Sequence, residues 1–193
     1  QQPREGRRES EHPRFLMEPE LTTVGGLGLK RSLSGYAVTV LADVPSLPEE
    51  QAVQIAEFVR LGGSLLVIHG ARSEAAFYNG WRSSGEPVLP LPVGACEVVS
   101  HERGEAGVKI DPGTFKHPAL ALFRESGDLS DAAVECYRKA LETNGSSRVV
   151  ARLQNGAAFM AEQALGKGRV VQLFVPLDQT AGNLVARQSF LPL

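Results

Sequence analysis

The sequence is poor in the residues that most reactions need. Its 193 residues include two cysteines, Cys96 and Cys136, and four histidines. The cysteines have no metal-ligand spacing and no histidine pair falls at i, i+4, so neither a zinc knuckle nor a zinc helix is supported. For the two thiols, one disulfide and a pair of reduced core residues both remain open. No Gly-x-Ser-x-Gly or Gly-x-Cys-x-Gly run exists, so the sharp turn that exposes a catalytic nucleophile is missing. No apolar run approaches the ~20 residues a helix needs to span a bilayer, so the chain does not itself insert in a membrane. No signal peptide is visible. Charge of one sign is not in excess: 20 Lys and Arg stand against 22 Asp and Glu, with a net charge of −2. The basic residues are scattered without interleaved aromatics, which excludes a nucleic-acid face. No internal repeat stands out, and no residue set calls for a cofactor.

What is present is ordinary globular composition, 42% hydrophobic and 22% charged, in a chain long enough for one domain with a sizeable core. The organising stretch is Tyr36 to Gly70. Residues 36–42 form a nearly continuous β-branched apolar run, the pattern of a strand covered on both faces. Asp43-Val44-Pro45 ends it. Ser46 suits a helix N-cap, with Glu49 as its capping-box partner. Ala52, Ile55, Ala56 and Val59 recur at i, i+3, i+4, i+7 and predict one buried stripe on a helix over 46–61. Gly62-Gly63 stop it, and Ser64 to Ile68 is a second buried strand. Two strands joined by a helical crossover are parallel neighbours with right-handed connection.

That unit says where to look for function. Ligands of open parallel sheets sit outside the carboxyl ends of the strands. Asp43 leaves the first strand and His69 the second, so an Asp and a His share one rim. Alternatively Asp43 caps a turn and His69 bonds a backbone group. If the pair does bind, the carboxylate favours the imidazolium and raises the His69 pKa. The ligand is then neutral, or a metal held by both groups.

Around this unit the chain reads as follows. Residues 1–14 form a polar, flexible arm, and 15–193 a single domain. Phe15-Leu16-Met17 starts the ordered part, and Leu21 to Val24 is a short strand candidate. Glu74 to Trp81 holds a short helix ending at Asn79-Gly80. Its aromatics Tyr78 and Trp81 either line a pocket or plug the sheet edge. Pro87 to Pro92 runs extended, Cys96 to Val99 is an edge strand, and Val108 to Ile110 a short extended piece. His117-Pro118 precedes an apolar turn. His101 and His117 are loop residues with solvated or structural roles. Residues 71–130 are mostly connection, where specificity would vary. Ala132 to Leu141 fits helix or strand, with a lean to strand. Arg148 to Leu153, Ala157 to Gln163 and Arg169 to Val175 make an antiparallel meander. Asn155-Gly156 serves as a two-residue hairpin turn. Gly166-Lys167-Gly168 joins two strands, which makes it a turn rather than a phosphate loop. The loop after 175 carries Asp178 and Asn183.

These motifs together resemble a known superfamily. Val38 to Asp43, the Ser46-Leu47-Pro48-Glu49-Glu50-Gln51 helix start and Phe58 to His69 are similar to the class I glutamine amidotransferase-like superfamily. Two of its non-amidotransferase branches are nearer. One is the trehalose-utilisation-type proteins, whose Gly-Gly strand also ends in His. The other is the C-terminal domain of bacterial membrane proteins that have paired N-terminal transmembrane helices, often beside a von Willebrand A-type domain. The second likeness extends through Phe77-Tyr78-Asn79, His117-Pro118-Ala119-Leu120, Gly166 to Val171, Asn183 and Phe190 to Leu193.

The resemblance implies a flavodoxin-like α/β three-layer sandwich, mainly parallel with an antiparallel C-terminal meander. It also implies a buried first strand just before the point where Gln1 stands, in a longer polypeptide. True amidotransferases carry an elbow Cys and a His-x-Glu pair after the last strand. Here those places hold His69-Gly70 and Val175-Pro176-Leu177-Asp178, so the glutaminase triad is absent. The function expected is a non-catalytic interaction or ligand-binding module of a larger bacterial membrane-associated protein, extracytoplasmic or membrane-tethered. Its partners would be other domains of the same polypeptide, a protein or a small ligand. The alternative is a hydrolase or sugar-modifying enzyme using the rim around His69. Candidate ligand-binding residues are Asp43, His69, Arg72, Tyr78, Asn79, Asp178 and Asn183, with no metal ligand or catalytic residue assigned.

Overall fold

The structure, a computed structural model, describes residues 18–30, 32–99, 107–126, 129, 132–141, 148–179 and 181–186. The expected arm, Phe15 to Met17, His101, and Phe190 to Leu193 lie outside the described residues. In chain order the elements are α1 (Val24–Leu27), β1 (Val38–Ala42), α2 (Glu49–Arg60), β2 (Ser64–Ile68) and α3 (Ala75–Gly80). There follow β3 (Arg82–Ser83), β4 (Glu86–Pro87), β5 (Val93–Val98), β6 (Val108–Asp111) and α4 (Ala121–Ser126). The chain ends in β7 (Ala133–Val134), β8 (Cys136–Ala140), β9 (Arg148–Leu153), β10 (Ala158–Leu165) and β11 (Gly168–Leu173).

A seven-stranded sheet of order β1-β2-β11-β10-β9-β6-β7 forms the middle layer of an α/β sandwich. β1 pairs in parallel with β2, Val38 against Ser64 through Ala42 against Ile68, and β2 pairs in parallel with β11. The remaining strands add antiparallel, so the C-terminal meander completes the sheet. Helix α2 lies on one face, where Ile55, Ala56 and Val59 meet Leu41, Leu65, Val67 and Val170. On the opposite face Ile68, Leu173, Leu153 and Phe159 pack under Phe115, Leu120, Phe123 and Tyr137. Alternation along β2 is the physical basis of this division: Leu65 and Val67 point one way, Leu66 and Ile68 the other.

Local chemistry departs from expectation at several points. Helix α2 begins at Glu49 with Pro48 as its N-cap and no side-chain cap bond, so Ser46 does not cap it. The fixed φ of Pro48 and the acidic Glu49 and Glu50 of the first turn do that work instead. Residues 21–24 are not a strand. Thr23 caps the short helix α1, its hydroxyl accepting from the Gly26 N–H at 3.1 Å. Asn155-Gly156 is not a two-residue turn. Leu153 pairs with Ala157 across three residues, and Gly156 takes the left-handed φ of 85° that such a loop needs. The two-residue turn is Gly166-Lys167, between Leu165 and Gly168.

The largest departure concerns β1, which is not covered on both faces. Leu41 is buried under α2, whereas Val38 and Val40 are 47% and 51% exposed on the other face. Among the described residues β1 is also an edge strand. The two faces therefore respond differently to substitution. In urea denaturation, Val40→Thr is expected to change the unfolding free energy by no more than about 0.5 kcal/mol. Leu41→Ala is expected to lower it by ~3 kcal/mol, through lost burial and the cavity left behind. Similar losses for the two variants would mean that both faces of β1 are covered.

Candidate functional site

The carboxyl ends of β1, β2 and β11 form the expected rim, and the backbone there is held by side chains rather than left open. Asp43 leaves β1 with a left-handed φ of 46°, a conformation Asp tolerates better than most residues. Its Oδ1 accepts from the Arg72 N–H at 2.9 Å and the Ser73 N–H at 3.2 Å. Its Oδ2 accepts from Arg72 Nε at 3.0 Å. Asp43 thus anchors the turn 70–73, and Gly70 is required beside it, because a Cβ there would collide with the Asp43 side chain. Arg72 is largely exposed, so this ion pair stays in contact with water and contributes little to stability.

His69 behaves differently. Its exposure is 0%. The ring makes a perpendicular contact with Tyr78, centroids 4.8 Å apart, and lies 6.0 Å from the Phe174 ring. Gln172 Nε2 donates to His69 Nε2 at 2.9 Å and to the Leu91 carbonyl at 3.1 Å, while Gln172 Oε1 accepts the Leu91 N–H at 3.1 Å. With Oε1 committed to Leu91, the amide nitrogen must face the ring. Nε2 is then the acceptor and the proton sits on Nδ1. Burial pushes the His69 pKa from 6.5 down to about 4, with the Arg138 charge adding to the shift and Asp43 opposing it weakly. The expected rise is therefore corrected: desolvation outweighs the nearby carboxylate. Nδ1 has no partner among the described residues.

The other candidates are engaged with backbone. The Tyr78 hydroxyl donates to the Val44 carbonyl at 2.6 Å, and burial pushes its pKa upward. Tyr78 and Trp81 are buried, so these aromatics plug the sheet edge. Asn79 clamps both polar groups of Val93: Nδ2 donates to the carbonyl at 2.9 Å and Oδ1 accepts the N–H at 2.7 Å. Asn183 does the same for Ala133, accepting its N–H at 2.7 Å while its own N–H donates to the Ala133 carbonyl at 3.0 Å. Asp178 accepts the Ala181 N–H at 3.0 Å. His117, in the connection before Pro118, pairs with Glu162 of β10 at 2.9 Å, and Arg169 reaches the same carboxylate at 3.3 Å.

Two rim residues were not anticipated. Gln172 interrupts the apolar run of β11, and a polar residue inside such a run was the available signal. Arg138 gave none. From β8 it donates through Nε to the Gly70 carbonyl at 3.1 Å, through one terminal nitrogen to Gly94 at 3.2 Å, and through the other to Ala71 at 3.2 Å and to Ser73. The Arg138 N–H also bonds the Phe174 carbonyl, so β8 runs across the end of β11 and covers it. No group of three potential metal ligands exists among the described residues.

No protein-family model and no curated protein matches the sequence. Solved structures do match. A cytoplasmic protein of Salmonella typhimurium aligns with TM-score 0.64 and 18% identity, over 92% of this chain and 73% of its own. A second cytoplasmic protein, from Salmonella typhimurium LT2, aligns with TM-score 0.59 and 20% identity, over 76% of this chain and 63% of its own. A cold-adapted β-galactosidase from Rahnella sp. R3 aligns with TM-score 0.51 and 18% identity, over 78% of this chain but 22% of the enzyme. These likenesses are of fold. They correct the expectation of an extracytoplasmic or membrane-tethered location, because the two Salmonella proteins are described as cytoplasmic. Among the described residues no helix is long and apolar enough to cross a membrane.

The buried imidazole gives a testable acid dependence. Unfolded, His69 titrates near 6.5; folded, near 4. Between these values the unfolded chain binds a proton that the folded chain refuses. Stability contributed by the neutral ring is complete above pH 6.5 and is lost as pH falls toward 4, by ~3 kcal/mol in all. Unfolding free energies across that window should fall steeply for the wild type and more gently for His69→Gln. Equal slopes for both proteins would show that His69 is not the group responsible.

Proposed function

We propose that the chain is a non-catalytic interaction module of the amidotransferase-like superfamily, one that meets another polypeptide segment or domain instead of turning over a substrate. The observation that carries this reading is the closed rim: the imidazole at the end of β2 has no exposed surface and its Nε2 is taken by Gln172. A general base must come within hydrogen-bond reach of the proton it removes. A hydrolase or sugar-modifying enzyme using His69 would need an accessible ring nitrogen, and none is offered.

The capacity for interaction lies at β1. The Ser64 N–H bonds the Ala37 carbonyl and the Asp43 N–H bonds the Ile68 carbonyl, so odd-numbered residues face β2. In a parallel pair the alternate residues, Val38, Val40 and Ala42, then direct their backbone groups outward. The strand Val38 to Ala42 carries no charge and no proline to protect that edge, and the Val38 and Val40 side chains are half exposed. An added strand would satisfy both the backbone and the apolar face. The similar fold in the Rahnella enzyme occupies 22% of a longer chain, which fits a part that works within a larger polypeptide.

Catalysis can be tested directly. Purified protein is expected to release neither ammonia from glutamine nor a chromophore from a panel of aryl glycosides above the uncatalysed rate. Turnover that disappears in His69→Gln, while that variant keeps the wild-type circular dichroism spectrum, would overturn the reading.

A further inference from the structure

We propose that Cys96 and Cys136 form a dithiol site that reacts with small disulfides and closes to an intramolecular disulfide across the β5–β8 ribbon. β5 and β8 pair antiparallel with Cys96 opposite Arg138 and Val98 opposite Cys136. The two cysteines are thus diagonal neighbours, two residues apart in register, and alternation puts both on the face that carries Arg138. Diagonal side chains in a regular ribbon stand ~7–8 Å apart at Cα, slightly beyond the ~4.4–6.8 Å a disulfide spans. This ribbon is not regular. The register shifts between Val93 and Cys96, and an irregularity of that kind increases local twist and re-aims the side chains. The two thiols lie close enough to influence each other, the Cys96 sulfur being one of the causes that raise the Cys136 thiol. Both sulfurs are free, Cys96 is exposed and Cys136 is half-buried.

The surroundings divide the labour between them. Burial, the Cys96 sulfur, Asp178 and Glu135 together push the Cys136 thiol up to about 11. Cys136 is therefore held protonated and partly covered, whereas Cys96 meets the solvent. Cys96 loses its proton to water, and its thiolate attacks one sulfur of an R–S–S–R reagent. One R–S⁻ leaves and a mixed disulfide, Cys96–S–S–R, remains. Cys136 then loses its proton, attacks the Cys96 sulfur, and expels the second R–S⁻. The two thiolates released take up the two protons, so the protein is oxidised by two electrons and the reagent reduced to two R–SH. Because burial holds the Cys136 thiol high, the closing step quickens as pH rises.

The position gives the bond a structural consequence. Cys136 lies between Glu135, whose N–H bonds the Ala181 carbonyl, and Arg138, whose N–H bonds the Phe174 carbonyl. A disulfide there would pin β5 to the strand that covers the end of β11.

The test uses reduced protein exposed to glutathione disulfide, quenched with acid, alkylated and analysed by intact and peptide mass spectrometry. The wild type is expected to lose two hydrogens, to resist alkylation at both cysteines and to yield a peptide pair joined through Cys96 and Cys136. Cys136→Ser should stop at one glutathione on Cys96, and Cys96→Ser should keep Cys136 open to alkylation. Three results would overturn the proposal: a wild type that ends with glutathione on Cys96 and Cys136 still alkylatable, one with glutathione on both, or one in which neither cysteine reacts. Wild-type masses alone decide it, whatever the variants do to folding.

Discussion

The amide of Gln172 is the junction on which the closed rim depends. It sits inside the sheet with no exposed surface and satisfies three groups at once: the N–H and carbonyl of Leu91 and Nε2 of His69. A polar group left unpaired in such a place costs about 1–3 kcal/mol, so the three bonds stand or fall together. They also solve a problem set by composition. The Pro-rich segment 87–92 cannot join a ladder throughout, because proline has no N–H to give. Val88, Leu89 and Leu91 of that segment are buried, and the N–H and carbonyl of Leu91 find their partner in a side chain. A glutamine on β11 supplies both a donor and an acceptor, and the remaining N–H fixes the tautomer of His69.

A second set of contacts repeats that logic with charges. The guanidinium of Arg138 binds carbonyls of Gly70, Ala71, Ser73 and Gly94, and the carboxylate of Asp43 takes the N–H groups of Arg72 and Ser73. One turn, 70–73, therefore has its carbonyls held from one side and its amides from the other. Asn79 and Asn183 each saturate both backbone groups of one residue elsewhere around the rim. Side chains of the type that would bind a ligand are here consumed in fixing irregular backbone. The long connections between β2 and β9 bring few ladder bonds of their own and leave that backbone to be satisfied by side chains.

The division explains what could be foreseen from the residues. The strand–helix–strand unit from residue 38 to 68 was legible because local signals agree there: β-branched runs, a 3.6-residue stripe and a paired glycine stop. The parallel pairing and the antiparallel meander followed from connection lengths alone. The helix start was misplaced by two to three residues because Ser46 and Pro48 are both plausible beginnings, and only the tertiary setting chooses. The location of Asp43 and His69 at one rim was also legible, since it depends on strand direction. Their chemistry was not. It rests on Gln172, 103 residues after His69, and on Arg138, 68 residues after Gly70. No pattern in the chain announces contacts of that separation. The reading of β1 as doubly covered failed for a related reason. An apolar run records that a strand can be buried on both faces, not that a neighbouring element reaches it.

These observations point to an asymmetry between the two ends of the parallel set. At the rim nearly every polar group has a partner within the chain, so a ligand would have to break existing bonds before making its own. At β1 the opposite holds. Backbone groups of Val38, Val40 and Ala42 point away from β2, and among the described residues no other strand pairs with them; the adjoining valines remain half exposed. Replacing water at such an edge by another strand breaks nothing inside the fold and removes apolar surface from solvent, at roughly 25 cal/mol per Å². Binding is favoured where the free protein has least to lose. By that criterion the edge of β1, and not the histidine at the end of β2, is where we propose that this fold acts.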